Sequence, residues 1–257
     1  MGALFLVTAM AAAGYAVFAL HPERLAAAPS AAAVYGHALR IFPPAHIVAG
    51  VLVLCVILAR RVGTAWVPAA GALYVLSLAS ELLGTTVGVP FGPYRYGDGL
   101  GIKWLDHVPV LVPASWFMMA LPSFALAERW VTTHRVWRLV VATGLLVSWD
   151  LALDPAMSHL MPYWVWASDG PYYGMPLLNL VGWYVTGLAL MAALDLLKVD
   201  RWLYRVPTPS LFGIYAANLA LPVVMAAAAG LWPAAALAVV PLALAATAAR
   251  ARAWSVI

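Results

Sequence analysis

The sequence predicts an all-α, polytopic membrane bundle of about eight transmembrane helices, organised as one domain over residues 1–257. Three observations predict it. Of 257 residues, 65% are hydrophobic and 9% charged, against ~45–50% apolar and ~25% charged in ordinary soluble domains. Fourteen basic and ten acidic side chains cannot coat a water-soluble surface of this size, which excludes a soluble enzyme, a nucleic-acid binder and a disordered chain. Apolar runs recur at 4–20, 41–59, 66–86, 108–127, 139–154, 176–197, 211–229 and 233–249, and a helix needs ~20 residues to cross the hydrocarbon. The strand alternation of a membrane barrel is absent.

The first run resembles a signal peptide with its cleavage region at Ala26–Ala33, which would leave seven spans. No Lys or Arg precedes it, so a retained helix is expected. The second run carries Cys55, the sole cysteine and a packing residue, so neither an internal disulfide nor a cysteine metal cage is possible. The third carries Glu81 near its end. The fourth is opened by Asp106 and His107. The fifth ends on Asp150 and Asp154, whose i, i+4 spacing puts both carboxyls on one helix face; Pro155 then disfavours helix at Asp154. The last three runs carry no acidic residue before Asp195.

The net charge of +4 sets topology rather than attracting nucleic acid. Arg60, Arg61, Arg129, Arg135, Arg138, Lys198, Arg201, Arg205, Arg250 and Arg252 fall on the side of the termini. Arg24, Arg40, Arg95 and Lys103 fall on the other. The positive-inside rule then predicts a multi-pass cell-membrane protein with cytoplasmic termini, and outward loops at 87–107 and 155–175.

An ionisable residue inside a span is a functional hypothesis by default. Glu81, Asp106, His107, Asp150 and Asp154 gather in the outer half under this topology. For each, a structural role is the alternative. Asp106 can be solvated or cap a helix, and His107 can sit at an interface. Glu81 and Asp150 can make an interhelical hydrogen bond or pair with Arg95, while His46 and Asn218 can be satisfied polar groups between helices. Aromatics crowd the same side, among them Tyr94, Tyr96, Trp149, Trp164, Trp166, Tyr172, Tyr173 and Trp183. An interfacial belt explains part of that. The Gly/Pro setting of Val89–Gly97 implies a fixed, non-helical loop that holds side chains in place.

The two lysines, Lys103 and Lys198, sit at span edges, which excludes a retinal Schiff base in mid-bundle. No Walker loop, dinucleotide fingerprint, zincin helix or nucleophile elbow occurs. Asp150-x-x-x-Asp154 resembles the aspartate pairs of membrane prenyltransferases, but those enzymes carry two aspartate-rich motifs and here there is one. Matching broken helices in two halves, the mark of an inverted-repeat transporter, are not found.

Three stretches carry a resemblance to a known family. They are Glu81-Leu-Leu-Gly-Thr-Thr-Val-Gly-Val-Pro-Phe-Gly-Pro-Tyr-Arg-Tyr96 with Leu100-Gly101; Val108-Pro-Val-Leu-Val-Pro-Ala-Ser-Trp116; and Asp150-Leu-Ala-Leu-Asp154-Pro-Ala-Met with Trp164-x-Trp166, Tyr172-Tyr-Gly-Met-Pro176 and Asn179-x-x-Gly182-Trp183. Over about 80–185 the chain resembles the carotenoid 1,2-hydratases of the CruF type, which include bisanhydrobacterioruberin hydratases. The resemblance implies addition of water across the terminal C1=C2 bond of an acyclic carotenoid end of the lycopene or γ-carotene type. It implies no cofactor and no metal. The substrate would be dissolved in membrane lipid.

That chemistry asks for an acid to protonate C2, a wall that stabilises the C1 cation, and a base for the attacking water. A carboxyl in an apolar surrounding can be the acid, and aromatic faces stabilise cations without trapping them. The expected catalytic set is Asp150, Glu81, Asp154, Asp106 and His107. Asp150, a turn deeper than Asp154, is the expected proton donor and Glu81 the second candidate, with Asp154 on the water side or holding Arg95. The expected substrate-binding set is Tyr94, Arg95, Trp149, Trp164, Trp166, Tyr172, Tyr173, Asn179 and Trp183. A cyclase passing through the same cation, or a transport or binding protein, would read the same residues differently.

Overall fold

A computed structural model describes residues 1–27, 29–131 and 134–254. Eight helices among them are long and apolar enough to cross a membrane: Gly2–Ala19, Ile41–Val62, Val67–Val87, Leu111–Val131, Arg135–Leu160, Leu177–Leu196, Thr208–Ala228 and Trp232–Arg250. Each overlaps one of the eight apolar runs, with differences at the ends.

The helices are α1 (Gly2–Gly14), α2 (Pro22–Ala26), α3 (Pro29–Val62), α4 (Val67–Val87), α5 (Leu111–Leu126), α6 (Arg135–Asp154), α7 (Leu177–Leu196), α8 (Asp200–Leu203), α9 (Thr208–Ala228) and α10 (Trp232–Trp254). Their ends follow local rules. Pro68 and Pro209 stand in the first turns of α4 and α9, where a missing N–H costs nothing. Gly88, at φ 77°, closes α4 in the left-handed conformation, its N–H bonding Gly84 O at 3.1 Å. Wider π-helical turns prolong three spans: Tyr15–Ala19, Ala127–Val131 and Pro155–Leu160.

The last of these differs from the expectation that Pro155 ends the fifth span. Proline lacks the N–H that would bond the carbonyl four residues back, here that of Leu151. The Tyr172 hydroxyl donates to Leu151 O at 2.7 Å instead. With that acceptor satisfied from outside, the coil runs on to Leu160.

Helix α5 is buried along nearly its whole length and packs against α3, α4, α6, α7 and α9. At the end of the bundle that holds the termini, Arg138 bonds Glu128 Oε1 at 3.3 Å and also Asp195, which Arg135 holds at 2.7 Å. Arg129 donates to the carbonyls of Leu203 and Val206 and to Thr208 Oγ1. Part of the positive charge therefore closes loops onto helix ends.

Four short strands lie at the opposite end: β1 (Tyr94–Tyr96), β2 (Lys103–Trp104), β3 (Val108–Pro109) and β4 (Trp164–Trp166). Strand β1 pairs antiparallel with β4, so the loop after α4 and the loop after α6 share one side of the bundle. Strands β2 and β3 form a hairpin. Its turn corrects the placement of Asp106 and His107 as the opening of the fourth span. Leu105 and Asp106 adopt φ of 49° and 61°, a left-handed conformation that no helix contains. Both Asp106 and His107 are exposed in that turn, and α5 begins at Leu111.

Candidate active site

Helix α4 carries Glu81 two turns before its glycine cap, 3% exposed. The chain then folds back, with Gly92, at φ 90°, bonding Gly88 O. This lets Phe91 sink between α4 and α7. A Cβ on Gly84 would stand 2.7 Å from Phe91 Cδ2, and one on Gly182 2.5 Å from Phe91 Cδ1 and 2.8 Å from the Pro90 carbonyl carbon. Two glycines therefore make the slot that fixes the loop, and the loop aims β1.

Side chains alternate across a strand, so Tyr94 and Tyr96 point inward while Arg95 and Val165 are exposed on the outer face. The register pairs Tyr94 with Trp166 and Tyr96 with Trp164, rings 5.1 and 6.0 Å apart. Both tyrosine hydroxyls donate to Glu81 Oε2, that of Tyr96 at 2.9 Å. The Trp116 indole on α5 donates to Oε1 at 2.9 Å. Burial, and next the adjacent Glu81, push the Tyr94 and Tyr96 phenols well above the ordinary tyrosine range, which keeps them as donors.

Across the ladder, both tryptophans reach Asp154, their indole N–H groups 3.3 Å from Oδ1. Asn179, in the first turn of α7, donates to Asp154 Oδ2 at 2.8 Å and lies 3.3 Å from Asp150 Oδ2. Ser158 Oγ is 2.6 Å from Asp154 Oδ1 and 2.8 Å from the Asp154 carbonyl oxygen. Asp154 is thus gripped at both oxygens. Asp150 is fully buried, and no described residue bonds its Oδ1.

Glu81 and Asp154 line one chamber of about 100 Å³. Its walls are aromatic: Tyr94, Tyr96, Trp116, Trp149, Trp164, Trp166 and Trp183. Trp116 and Trp183 stack at 4.0 Å, and Trp149 meets Trp183 edge-on at 5.9 Å. His46 and Asn218 also face the space. As expected for satisfied polar groups they are bonded, His46 Nε2 to Thr8 Oγ1 and Asn218 Nδ2 to Ile214 O.

The structure therefore brings together Glu81, Asp154, Tyr94, Trp149, Trp164, Trp166, Asn179 and Trp183. Asp150 stands behind the wall, linked to the chamber through Asn179. Asp106 and His107 are in the exposed hairpin turn and do not line the chamber. Arg95 points away, beside Thr85 and Thr86, and no ion pair joins it to Glu81, Asp150 or Asp154 among the described residues. Tyr172 serves the backbone of α6, and Tyr173 packs edge-on against it at 4.9 Å. Trp116 and Tyr96 are the additions. Trp116 closes the second quoted stretch, and Tyr96 has the same strand phase as Tyr94; those were the available signals. Among the described residues no three His, Cys, Asp or Glu side chains are arranged to hold a metal ion.

Comparison with known proteins gives this geometry a context. Bisanhydrobacterioruberin hydratase of Haloarcula japonica is 32% identical over 141 residues, 53% of this chain and 45% of that protein. The matched stretch thus spans less than half of the relative's length. No solved structure matches the chain. The family model described as carotenoid biosynthesis protein matches residues 42–245, from the second span into the eighth and through every wall of the chamber. The chain is a member of the carotenoid biosynthesis protein family.

Proposed function

We propose that this protein is a carotenoid hydratase that adds water across the C1=C2 bond of an acyclic end. One observation carries the proposal: two buried carboxyls, Glu81 and Asp154, face a single aromatic-walled chamber. A trisubstituted alkene is a weak base, so the reaction starts with a carboxylic acid held against it. Asp154 suits that role by its contacts. Ser158 has one hydroxyl hydrogen but lies within bonding distance of both Asp154 Oδ1 and the Asp154 carbonyl oxygen. If that hydrogen goes to the carbonyl, the 2.6 Å contact is completed by a proton on Oδ1. Asp154 transfers its proton to C2, and the alkene pair forms the new C–H bond. The tertiary cation left at C1 is faced by the tryptophan rings.

Water then bonds C1 through oxygen and gives its extra proton to Glu81, whose partners Tyr94, Tyr96 and Trp116 are all donors. Return of that proton to Asp154 through chamber water resets the site. The chamber has room for water. Asp150 acts through Asn179 as a positioning residue. The substrate class is a lipid-dissolved carotenoid of the lycopene or γ-carotene type, and no step calls for a cofactor.

Expression in a lycopene-producing host, with pigments analysed by mass, tests the reaction. The expected product is heavier by one water. An isomer of unchanged mass would instead identify a cyclase. Turnover in heavy water should leave one deuterium at C2, and labelled water should leave its oxygen at C1. Oxygen drawn from O₂ would overturn the mechanism.

The same reading places the chamber in the outer half of the membrane. Its motive is the ten-to-four distribution of Lys and Arg between the two sides. Reporter fusions after Arg61, Arg138 and Arg205 are expected to behave as cytoplasmic. A cysteine at the exposed position Asp169 should be labelled from outside; labelling only from the cytoplasm would invert the orientation.

A further inference from the structure

The chamber is too small for the molecule it is proposed to act on. A dry cavity of ~150 Å³ holds a benzene ring, so about 100 Å³ takes a branched isoprenoid tip and a water. The long remainder must lie elsewhere. A second cavity, of about 680 Å³, runs between the C-terminal half of α1, the N-terminal extension of α3 and the outer end of α9. Pro43, Met157, Tyr163 and Leu221 line both spaces, so the two adjoin along these four side chains. No charged residue lines the larger one among the described residues.

We infer that this groove holds the apolar chain of the substrate and admits it sideways from the lipid. The inference rests on the hydratase reading for the identity of the reacting end. Three features fit a long unsaturated chain. Val17 and Val34 on the rim are 38% and 71% exposed, so the groove opens laterally toward lipid. Small residues Ala11, Gly14, Ala31 and Ala38 clear its length. Phe18 and Tyr35, rings 5.3 Å apart and tilted 53° to one another, give it an aromatic side for a conjugated chain. The π-helical turns Tyr15–Ala19 and Pro155–Leu160 both contribute wall, so irregular helix coincides with the opening. An acyl chain of a membrane lipid could enter the same groove, but it would bring no alkene end to the carboxyls.

Two variants fill the groove, Ala38→Trp near the chamber and Ala31→Trp farther out. Val48→Trp, on the lipid-exposed face of α3 and outside both cavities, is the control. Each protein, purified in detergent and monodisperse, is mixed with lycopene, and bound polyene per protein is read by absorbance after gel filtration. Hydration is measured for lycopene and for a monoterpene-sized probe with the same isopropylidene end. Both groove variants are expected to lose about tenfold of polyene binding and of polyene hydration, ~1.4 kcal/mol. Their hydration of the short probe should stay near the wild-type rate. The control should match wild type throughout.

Wild-type polyene binding by both groove variants would overturn the inference and point to lipid as the occupant. Should Ala38→Trp fail to fold, Ala31→Trp decides alone. Polyene that binds in a groove-dependent way but is never hydrated, with the short probe also untouched, would uphold the groove and remove the hydratase reading.

Discussion

Asp154→Asn is expected to cut hydroxylated carotenoid per membrane-inserted protein by about 10²–10⁴-fold, the range a general acid contributes. An amide keeps the shape of the side chain but has no proton acidic enough for an alkene. It also changes the bonding around it. Trp164, Trp166 and Asn179 approach Asp154 as donors, the indoles at Oδ1 and the amide at Oδ2, and an asparagine must turn its NH₂ toward at least one of them. That conflict should cost about 1–3 kcal/mol of stability, so insertion and gel-filtration behaviour are measured beside activity. Glu81→Gln should lose activity on the same scale, for want of the base. Asp150→Asn should be milder and should shift the pH profile of turnover, since among the described residues Asp150 is tied to the chamber through Asn179. Near-normal activity in Asp154→Asn would remove it as the acid. Loss in Asp150→Asn alone would give the role to the deeper residue, as the sequence suggests.

Gly182→Ala is the second large effect, and it acts on a residue that touches no substrate. The added methyl would lie 2.8 Å from both the carbon and the oxygen of the Pro90 carbonyl. A backbone carbonyl cannot swing aside as a side chain can. Phe91 has little room to retreat, because it already packs so close to α4 that a Cβ on Gly84 would stand 2.7 Å from its Cδ2. Overpacking of this kind costs about 1–3 kcal/mol, and the relief available is to lift the loop. Lifting it withdraws Tyr94 and Tyr96 from Glu81. A lowered Tm in detergent is therefore expected together with lost hydration, both partly restored when Phe91→Leu is added. Unchanged stability and activity in Gly182→Ala would show that the slot does not hold the loop.

The bundle was legible in the sequence because lipid imposes a length and a composition on every crossing. All eight runs correspond to spans, and the errors are at ends. The run at 139–154 became Arg135–Leu160 because a tyrosine hydroxyl and a π-helical turn carry the coil past Pro155, which depends on a residue far along the chain. Asp106 and His107 looked like a helix start because their polarity borders an apolar run, yet two left-handed residues place them in a hairpin turn. Glu81 and Asp154 could be picked out from the cost of charge in a membrane. Depth and the negative charge one turn away rank Asp150 above Asp154 in the sequence, and neither tells which side of a helix wall faces a cavity. Trp116 was invisible as a partner of Glu81, being one indole among twelve tryptophans. Strands of three residues are too short for periodicity to announce, although Tyr94-Arg95-Tyr96 and Trp164-Val165-Trp166 each alternate.

The ladder between β1 and β4 has a mechanical meaning. Its inward face presents two tyrosines to Glu81 and two tryptophans to Asp154. Paired strands stand ~4.7–4.9 Å apart, a dimension set by covalent geometry and backbone hydrogen bonds. Helix tilt, by contrast, answers to the thickness of the bilayer. With both carboxyls tied to the same small sheet, the gap between them is measured by the sheet and not by the angle between α4 and α6. Such a protein can sit in membranes of different acyl length, or in one whose thickness changes with temperature, and keep the same distance between its two carboxyls.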